Sequence, residues 1–501
     1  MWRDRRLHWA RPVLGGCVVG VAVTAMILVL PAHVLVGSFI AAPLLLPPLV
    51  LRNATVYGVA LYLALLPIEG VRGIIVSKRF LDESYSWIKI VDTLGLPPGL
   101  NFDLRILPSD VVLAFLIAGW AVRSRRKTGS AFLPSLAYIA LAYFGWAAMS
   151  AVLKAPYFYL SAFELAQGVK YVVLYVYIAN AVTSQRVLKG IIALLVACLL
   201  FEGAVTILAF KSDVIQDSLA LLREGGTPDA PSVFEAGEDG KRALGSFGRP
   251  VTTALYLDLL MPLAVALAVL KPAGRWLLGA VLLVAGIALY LTYSRTGLVG
   301  LALGLGVFGW LACRQVLIRP RQLLVVGYLG LVVGVGLGSM ILPRLESFLA
   351  SRPSALLGRF PLMEKAVAMT VDNPLLGVGP ANSTAVKRQL KEGYDNESFY
   401  PVHNQYLVVA AETGVVGLLC YVTFFGGVCR QAARLAGSPD RHRAALGLGV
   451  TGGYVAVATM LFGDHLAGNA PNAMVWFCAG LVAAARRLDD DARDVGRAAS
   501  P

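Results

Sequence analysis

Charge is scarce in this 501-residue chain: only 15% of its residues are Asp, Glu, Lys or Arg, where a soluble domain carries about 25%. Hydrophobic residues make up 57%, and the mean hydropathy is +0.70. No soluble core of this size needs that much apolar surface. A soluble enzyme, a disordered chain and a nucleic-acid-binding domain are excluded, although the formal net charge of +14 at first suggests nucleic acid. Cysteine is also scarce. Cys17, Cys198, Cys313, Cys420, Cys429 and Cys478 all fall inside apolar runs or at their ends, and no CxxC pair occurs. Neither a disulfide framework nor a cysteine zinc site is expected. The chain also lacks an internal repeat and the inverted half-repeat that marks many transporters.

Long apolar runs are what the chain has in quantity. Fourteen can be read: 13–31, 33–51, 54–68, 109–122, 131–153, 162–182, 187–210, 251–270, 275–293, 296–313, 322–342, 403–424, 444–463 and 471–485. A bilayer-crossing helix needs about 20 mostly apolar residues. The third, fourth and last runs are short, and Pro43, Pro47 and Pro48 interrupt the second, so the count lies between 12 and 14. The expected fold is an all-α polytopic membrane protein of about 14 transmembrane helices, a single transmembrane domain over 1–501. Residues 13–31 follow Arg3, Arg5 and Arg6 like a signal peptide, but the run is long and no clear small-x-small site follows. They are read as a retained helix.

Basic residues test the topology. With a cytoplasmic N-terminus, the connections on the inner side collect 24 Lys and Arg, including Arg123, Arg125, Arg126, Lys127, Arg430, Arg434, Arg441 and Arg443. The short connections on the other side hold only Lys154 and Arg295. Short loops are where the positive-inside rule operates, so both termini are expected to be cytoplasmic, with 486–501 as a cytoplasmic tail whose run Asp489-Asp490-Asp491 is solvated. Three long outer loops remain, 69–108, 211–250 and 343–402, and loops of such length are often functional. The last is expected to be ordered. Arg359 to Val371 reads as a helix stopped by Asp372-Asn373-Pro374, Gly377 to Pro380 as a turn, and Asn382 or Ser383 as the cap of a second helix reaching Lys391.

Three polar stretches stand against this background. They are Tyr293-Ser294-Arg295-Thr296-Gly297; Arg359 with the later run Asn373-Pro374-Leu375-Leu376-Gly377-Val378-Gly379-Pro380; and His403-Asn404-Gln405-Tyr406-Leu407, which runs on to Glu412-Thr413-Gly414. The charge distribution puts Arg295, Arg359 and His403 on one side, the outer one. Taken singly, each has a plainer use: an interfacial anchor for Arg295, a solvated loop side chain for Arg359, a helix cap or anchor for His403. Glu412 follows His403 by nine residues, which on a helix is about 900° of rotation and about 13.5 Å of depth. It is therefore assigned a polar contact inside the bundle rather than the orientation of His403. Glu164, Lys170, Glu202, Asp258 and Asp464 are ionisable groups within or at the end of apolar runs, and such groups are functional candidates by default. Among them Asp258, about two turns below Arg249, is the strongest.

In their order and spacing these stretches resemble the O-antigen ligase and O-antigen polymerase superfamily, bacterial inner-membrane glycosyltransferases that use lipid-linked sugars. The specific match covers residues 275–424; the preceding half matches only in being apolar. Where family members often have an asparagine-containing step before a helix, this chain has Gly245-Ser246-Phe247-Gly248-Arg249-Pro250. The resemblance implies a lipid-sugar glycosyltransferase-like fold with a large ordered periplasmic loop. It implies transfer of a glycan from a polyprenyl diphosphate to an acceptor hydroxyl, that of another glycan, of lipid A-core or of another carrier. The catalytic residues are then Arg295, Arg359 and His403, with Asn404, Arg249 and Asp258 beside the two arginines in substrate binding. Arginine matches phosphate oxygens with a planar fork of donors, and histidine suits a general base near neutral pH. No cofactor and no metal are expected, and no nucleic acid. Expected partners are the lipid bilayer, the donor and acceptor, a flippase and a chain-length regulator. A transporter or flippase of lipid-linked sugars is the alternative.

Overall fold

The computed structural model describes residues 54–66, 74–76, 104–106, 108–125, 132–212, 215, 242–271, 274–315, 317, 327, 359–389, 402–466 and 468–498. The apolar runs 13–31, 33–51 and 322–342, most of the segments 69–108 and 211–250, and part of 343–402 lie outside them.

The order is α1 (Ala54–Leu65), β1 (Ile74–Val76), β2 (Leu104–Ile106), α2 (Pro108–Arg125), α3 (Ser135–Lys154), α4 (Phe158–Ala181), α5 (Gln185–Lys211), α6 (Pro250–Leu270), α7 (Arg275–Leu291), α8 (Arg295–Arg314), α9 (Arg359–Asp372), α10 (Ser383–Gln389), α11 (Gln405–Leu435), α12 (Arg441–Met460) and α13 (Asn469–Ala498). Eleven of the fourteen apolar runs coincide with a described helix. Among the described residues six helices, α3, α4, α5, α6, α8 and α11, are long and apolar enough to cross a membrane, while α1, α2 and α7 carry shorter apolar stretches. Exposed Tyr138, Leu141, Val152, Leu153, Trp276, Leu277 and Leu283 turn outward from α3 and α7, as lipid-facing side chains do. The chain is a multi-pass membrane protein.

One expectation is corrected. The described residues are helical as expected, apart from one short ladder in which β1 and β2 pair antiparallel with Ile74 opposite Ile106. Three-residue strands are too short to show an alternation in sequence, although the β-branched residues they carry suit strands. The correction concerns the acidic run near the end, which is not uniformly solvated, because α13 continues to Ala498. Asp489 is buried, accepts from Ser438 Oγ and pairs with Arg443 at 3.0 Å and Arg493 at 2.7 Å. Asp490 and Asp491 are exposed.

Helix α6 is the axis of the bundle, with nearly all its side chains buried. In lipid, helices gain nothing from burying apolar surface against one another, so close backbone approach through small residues holds them together. A Cβ on Gly449 or Gly453 of α12 would strike the α6 backbone at Leu263 or Leu259, and one on Gly300 or Gly304 of α8 would strike the α12 carbonyls of Ala456 or Gly452. These contacts lock α6, α8 and α12 together and align the start of α8 with the end of α12.

Candidate active site

Helix α11 is broken at Gly414, where φ is 70° and ψ −176°. Fifteen residues of straight helix would separate Tyr406 from Tyr421 by about 22 Å, yet their ring centroids are 6.3 Å apart. The helix therefore folds sharply at Gly414. The half from Val415 to Leu435 runs alongside α3, with Gln431 bonded to Ser135 at one end and Thr413, beside the break, accepting from Trp146 Nε1 near the other. The half 405–413 turns across the end of the bundle and brings Tyr406 Oη to the Ala458 carbonyl.

Breaking a helix strands backbone groups, and buried ones must be paired. At Gly414 the stranded groups are the carbonyls of Ala411 and Glu412 and the N–H of Val415. All three are satisfied by one segment: Val378 N donates to Ala411 O (2.9 Å), Gly379 N to Glu412 O (3.0 Å), and Val415 N to Pro374 O (2.8 Å). A Cβ on Gly377 would meet the Glu412 backbone, and one on Gly414 would meet the Leu375 carbonyl. The Glu412 side chain accepts from Ser383 Oγ at 2.7 Å. Asn382 bonds the main chain of Tyr157 and Pro380 and the Ser161 hydroxyl. The Asn-Pro-Leu-x-Gly-x-Gly run and the Glu-x-Gly step are thus two halves of one joint, which the sequence did not disclose. Glu412 makes the bundle contact expected of it.

That joint positions His403. Asn404 caps α11, accepting from Leu407 N at 3.1 Å, and its Nδ2 donates to Phe462 O at 3.1 Å. Gln405 N donates to Leu461 O (2.9 Å) and Asp464 O (3.0 Å), and Gln405 Oε1 accepts from Leu466 N (2.9 Å). The start of α11 is sewn to the turn that follows α12. His403 Nδ1 then lies 3.4 Å from Asp464 Oδ1, and His465 Nδ1 lies 3.2 Å from the same oxygen. Burial opposes the charge on Asp464, but hydrogen bonds from His403 and His465 and the charge of His465 outweigh it and hold the carboxyl well below the usual carboxylate range. Asp464 was noted only as an ionisable group at the end of a run, and His465 was missed. An adjacent Asp-His pair at the close of an apolar run is the signal that would have found both.

Arg295 is the first residue of α8. Ser294 caps that helix, accepting from Gly297 N at 3.2 Å, after Tyr293 takes the left-handed φ of 50°. Arg295 is exposed at the positive end of the helix dipole. Its neighbour Thr296 sits against Gly463, which precedes Asp464. Arg295 and the His403–Asp464 pair therefore share one end of the bundle. Arg242, another residue the sequence did not single out, joins them there, its Nε donating to Thr292 O at 3.0 Å.

Arg359 opens α9, and its side chain lies outside the described residues. The apolar face of α9, Leu362, Ala366 and Met369, packs with Val402 and Ala411 and borders Leu407 and Val408, so α9 lies on the arm that carries His403. Arg249 precedes α6 and is half-buried. The loop before it wraps the buried carboxylate of Glu202, which accepts from Ser246 N (3.1 Å), Ser246 Oγ and Thr253 Oγ1 (3.5 Å). Asp258 is fully buried, one turn deeper than Ala254, which touches Gly297. Neither carboxylate oxygen of Asp258 has a partner among the described residues. It lies deeper along α6 than the cluster of Arg295, His403 and Asp464. Lys170 is paired with Asp110 at 3.0 Å.

No curated protein matches the chain. Residues 280–422 match the family model described as O-Antigen ligase, a stretch that begins in α7 and takes in the start of α8, the joint at Gly414 and His403. Over residues 280–422 the chain is similar to the O-antigen ligase family, which supports the resemblance to the O-antigen ligase and polymerase superfamily.

Proposed function

We infer that the protein is a membrane glycosyltransferase that moves a glycan from a polyprenyl diphosphate to an acceptor hydroxyl, as a ligase or polymerase of a surface polysaccharide. The observation that carries this reading is the shared end of the bundle: a histidine backed by an ionised carboxylate beside the exposed arginine at the start of α8. In this reading that end faces the periplasm from a bacterial inner membrane and both termini are cytoplasmic, which the gathering of basic residues in the short loops of the other end supports.

The chemistry follows from the groups. Asp464 accepts the Nδ1 proton of His403 and leaves Nε2 as the base. The acceptor oxygen attacks the anomeric carbon as Nε2 takes its proton, and the bond to the diphosphate breaks. Direct displacement inverts the anomeric configuration. The leaving diphosphate gains charge, and Arg295 and Arg359 neutralise it without a metal ion, each charge-assisted hydrogen bond being worth about 1.5–3 kcal/mol. Asn404 holds the base's helix in place, and Arg249 and Asp258 extend the donor site along α6. The acceptor is another lipid-linked glycan, lipid A-core or another hydroxyl carrier, and a flippase and chain-length regulator are the expected partners.

Purified protein given a polyprenyl diphosphate glycan and an acceptor in detergent should release polyprenyl diphosphate and yield the lengthened acceptor. Transport of intact donor in vesicles with no cleavage would instead make the protein a flippase, a reading that the placing of the cluster at one end of the bundle speaks against, since transporters bind near the midplane.

A further inference from the structure

His403, Asp464 and His465 form a cluster whose ligand atoms all lie within 4.8 Å of one another. We propose that this cluster binds a divalent transition-metal ion of the zinc type, and that the bound ion switches off His403. The metal-binding part stands on geometry alone; the inhibitory part rests on the proposed role of His403 as base.

The spacing suits such an ion. Zinc bonds of about 2.0–2.1 Å in a tetrahedron set neighbouring ligand atoms about 3.3–3.4 Å apart. Asp464 Oδ1 lies 3.4 Å from His403 Nδ1 and 3.2 Å from His465 Nδ1. Two imidazoles and one carboxylate favour zinc, copper or nickel over magnesium or calcium, which prefer all-oxygen sites. Three protein ligands leave a fourth position open, and all three side chains are partly exposed, so the ion has a way in. The backbone is already fixed. Gln405 N bridges the Leu461 and Asp464 carbonyls, and His465 N donates to Asp464 Oδ1 at 2.8 Å. Binding replaces protons between preset atoms and needs no rearrangement of the loop.

The consequence for His403 is a matter of lone pairs. As the base, the ring keeps its proton on Nδ1, facing Asp464, and offers the lone pair of Nε2. An ion on Nδ1 binds the Nδ1 lone pair and displaces the proton from that nitrogen, so the neutral ring must carry its proton on Nε2. It can then no longer accept a proton from the acceptor hydroxyl. Metal occupancy and general-base action are mutually exclusive at this histidine.

Cobalt(II) chloride titrated into the full-length protein in detergent reads the site directly, because a tetrahedral N/O ligand set gives intense visible absorption bands. One equivalent of such cobalt, displaced by zinc, is the expected result. Loss of even an outer partner of a metal ligand weakens binding about 10–100-fold, so His465→Gln should weaken cobalt binding at least that far. In the transfer assay, zinc should inhibit the unmodified protein and EDTA should reverse it, while whatever transfer His465→Gln retains should be insensitive to zinc. Absence of stoichiometric cobalt bands from the unmodified protein, or equal binding by His465→Gln and Asp464→Asn, overturns the site. Cobalt bound through these residues with transfer unaffected keeps the site and removes His403 as the base. If neither protein shows transfer, the cobalt bands still decide whether the site exists.

Discussion

Asp440 and Asp464 close opposite ends of α12 and its turns, and each sits beside a histidine, but their surroundings differ. Asp440 caps α12, accepting from His442 N at 2.9 Å and Arg443 N at 3.1 Å, and takes Gln185 Nε2 at 2.6 Å. Near it, Lys271 Nζ meets His442 Nε2, Arg443 binds Asp489 and the Leu488 carbonyl, and Arg487 holds the Val182 carbonyl. Asp440, Asp489, Arg443 and Arg487 are used there to fasten helices, while Arg186, Lys189, Arg430 and Arg434 stay exposed. At the His403 end, Asp464 receives two imidazoles and the next residue's N–H, near the exposed Arg295. What sets that end apart is a carboxylate and two partly exposed imidazoles gathered on a fixed backbone, an arrangement that fastens no helix to another through its charge.

The sharpest way to break this contrast is to remove His403. General-base catalysis contributes about 10²–10⁴-fold, so His403→Ala should lower the transfer rate by that factor while donor binding, measured by titration, stays the same. Asp464→Asn should lower kcat with little change in KM and alter the pH profile, and Asp464→Glu should recover part of the loss. Wild-type turnover by His403→Ala would dissolve the distinction between the two ends.

The joint at Gly414 comes next. Gly414→Ala puts a Cβ against the Leu375 carbonyl at a φ of 70°. Left-handed strain costs about 1–3 kcal/mol, and the clash adds to it, so thermal unfolding in detergent should show a loss of about 3 kcal/mol or more. The same change at Gly426, on the half of α11 beyond the break, has nothing within 4 Å of its new Cβ and should stabilise that helix slightly.

Arg295→Gln removes charge from the exposed end. Losing one charge-assisted hydrogen bond of about 1.5–3 kcal/mol should lower kcat/KM for the donor about 10- to 100-fold. Arg295→Lys should restore only part, since lysine cannot form the forked contact. An unchanged kcat/KM in Arg295→Gln would return this residue to the role of interfacial anchor.

The helices were legible because the apolar runs are long and punctuated by proline, glycine and charge. The stop at Asp372-Asn373-Pro374 was legible for the same local reason, whereas the cap expected of Asn382 or Ser383 was not what forms: their side chains bond Tyr157, Ser161, Pro380 and Glu412 instead. The fold at Gly414 was not legible, because a single glycine in an apolar run reads as ordinary helix. Only the distant Pro374–Gly379 segment reveals that the helix breaks there. The site was half legible. His403 and Arg295 announce themselves as polar residues at helix starts. The partnership of His403 with Asp464 spans 61 residues and depends on the close approach of α8 to α12 and of the α12 turn to α11, which no local pattern encodes.

The smallest effect tests the other end. Burial works against the charge of Asp440, but the N–H groups of Arg443 and His442 outweigh it and hold its carboxyl below the ordinary range. A group whose folded value is lowered contributes stability above its unfolded value, about 3.9 for Asp, and loses it as pH falls through the folded value. Replacing an N-cap by alanine typically costs about 1 kcal/mol. Asp440→Ala should therefore melt earlier than the unmodified protein at pH 6 to 8, with the gap closing below about pH 4 as the native cap is protonated. Its transfer rate at a temperature where both proteins are folded should be unchanged. A loss of transfer on the scale of Arg295→Gln would mean that the Asp440 end serves the reaction as well as the fold.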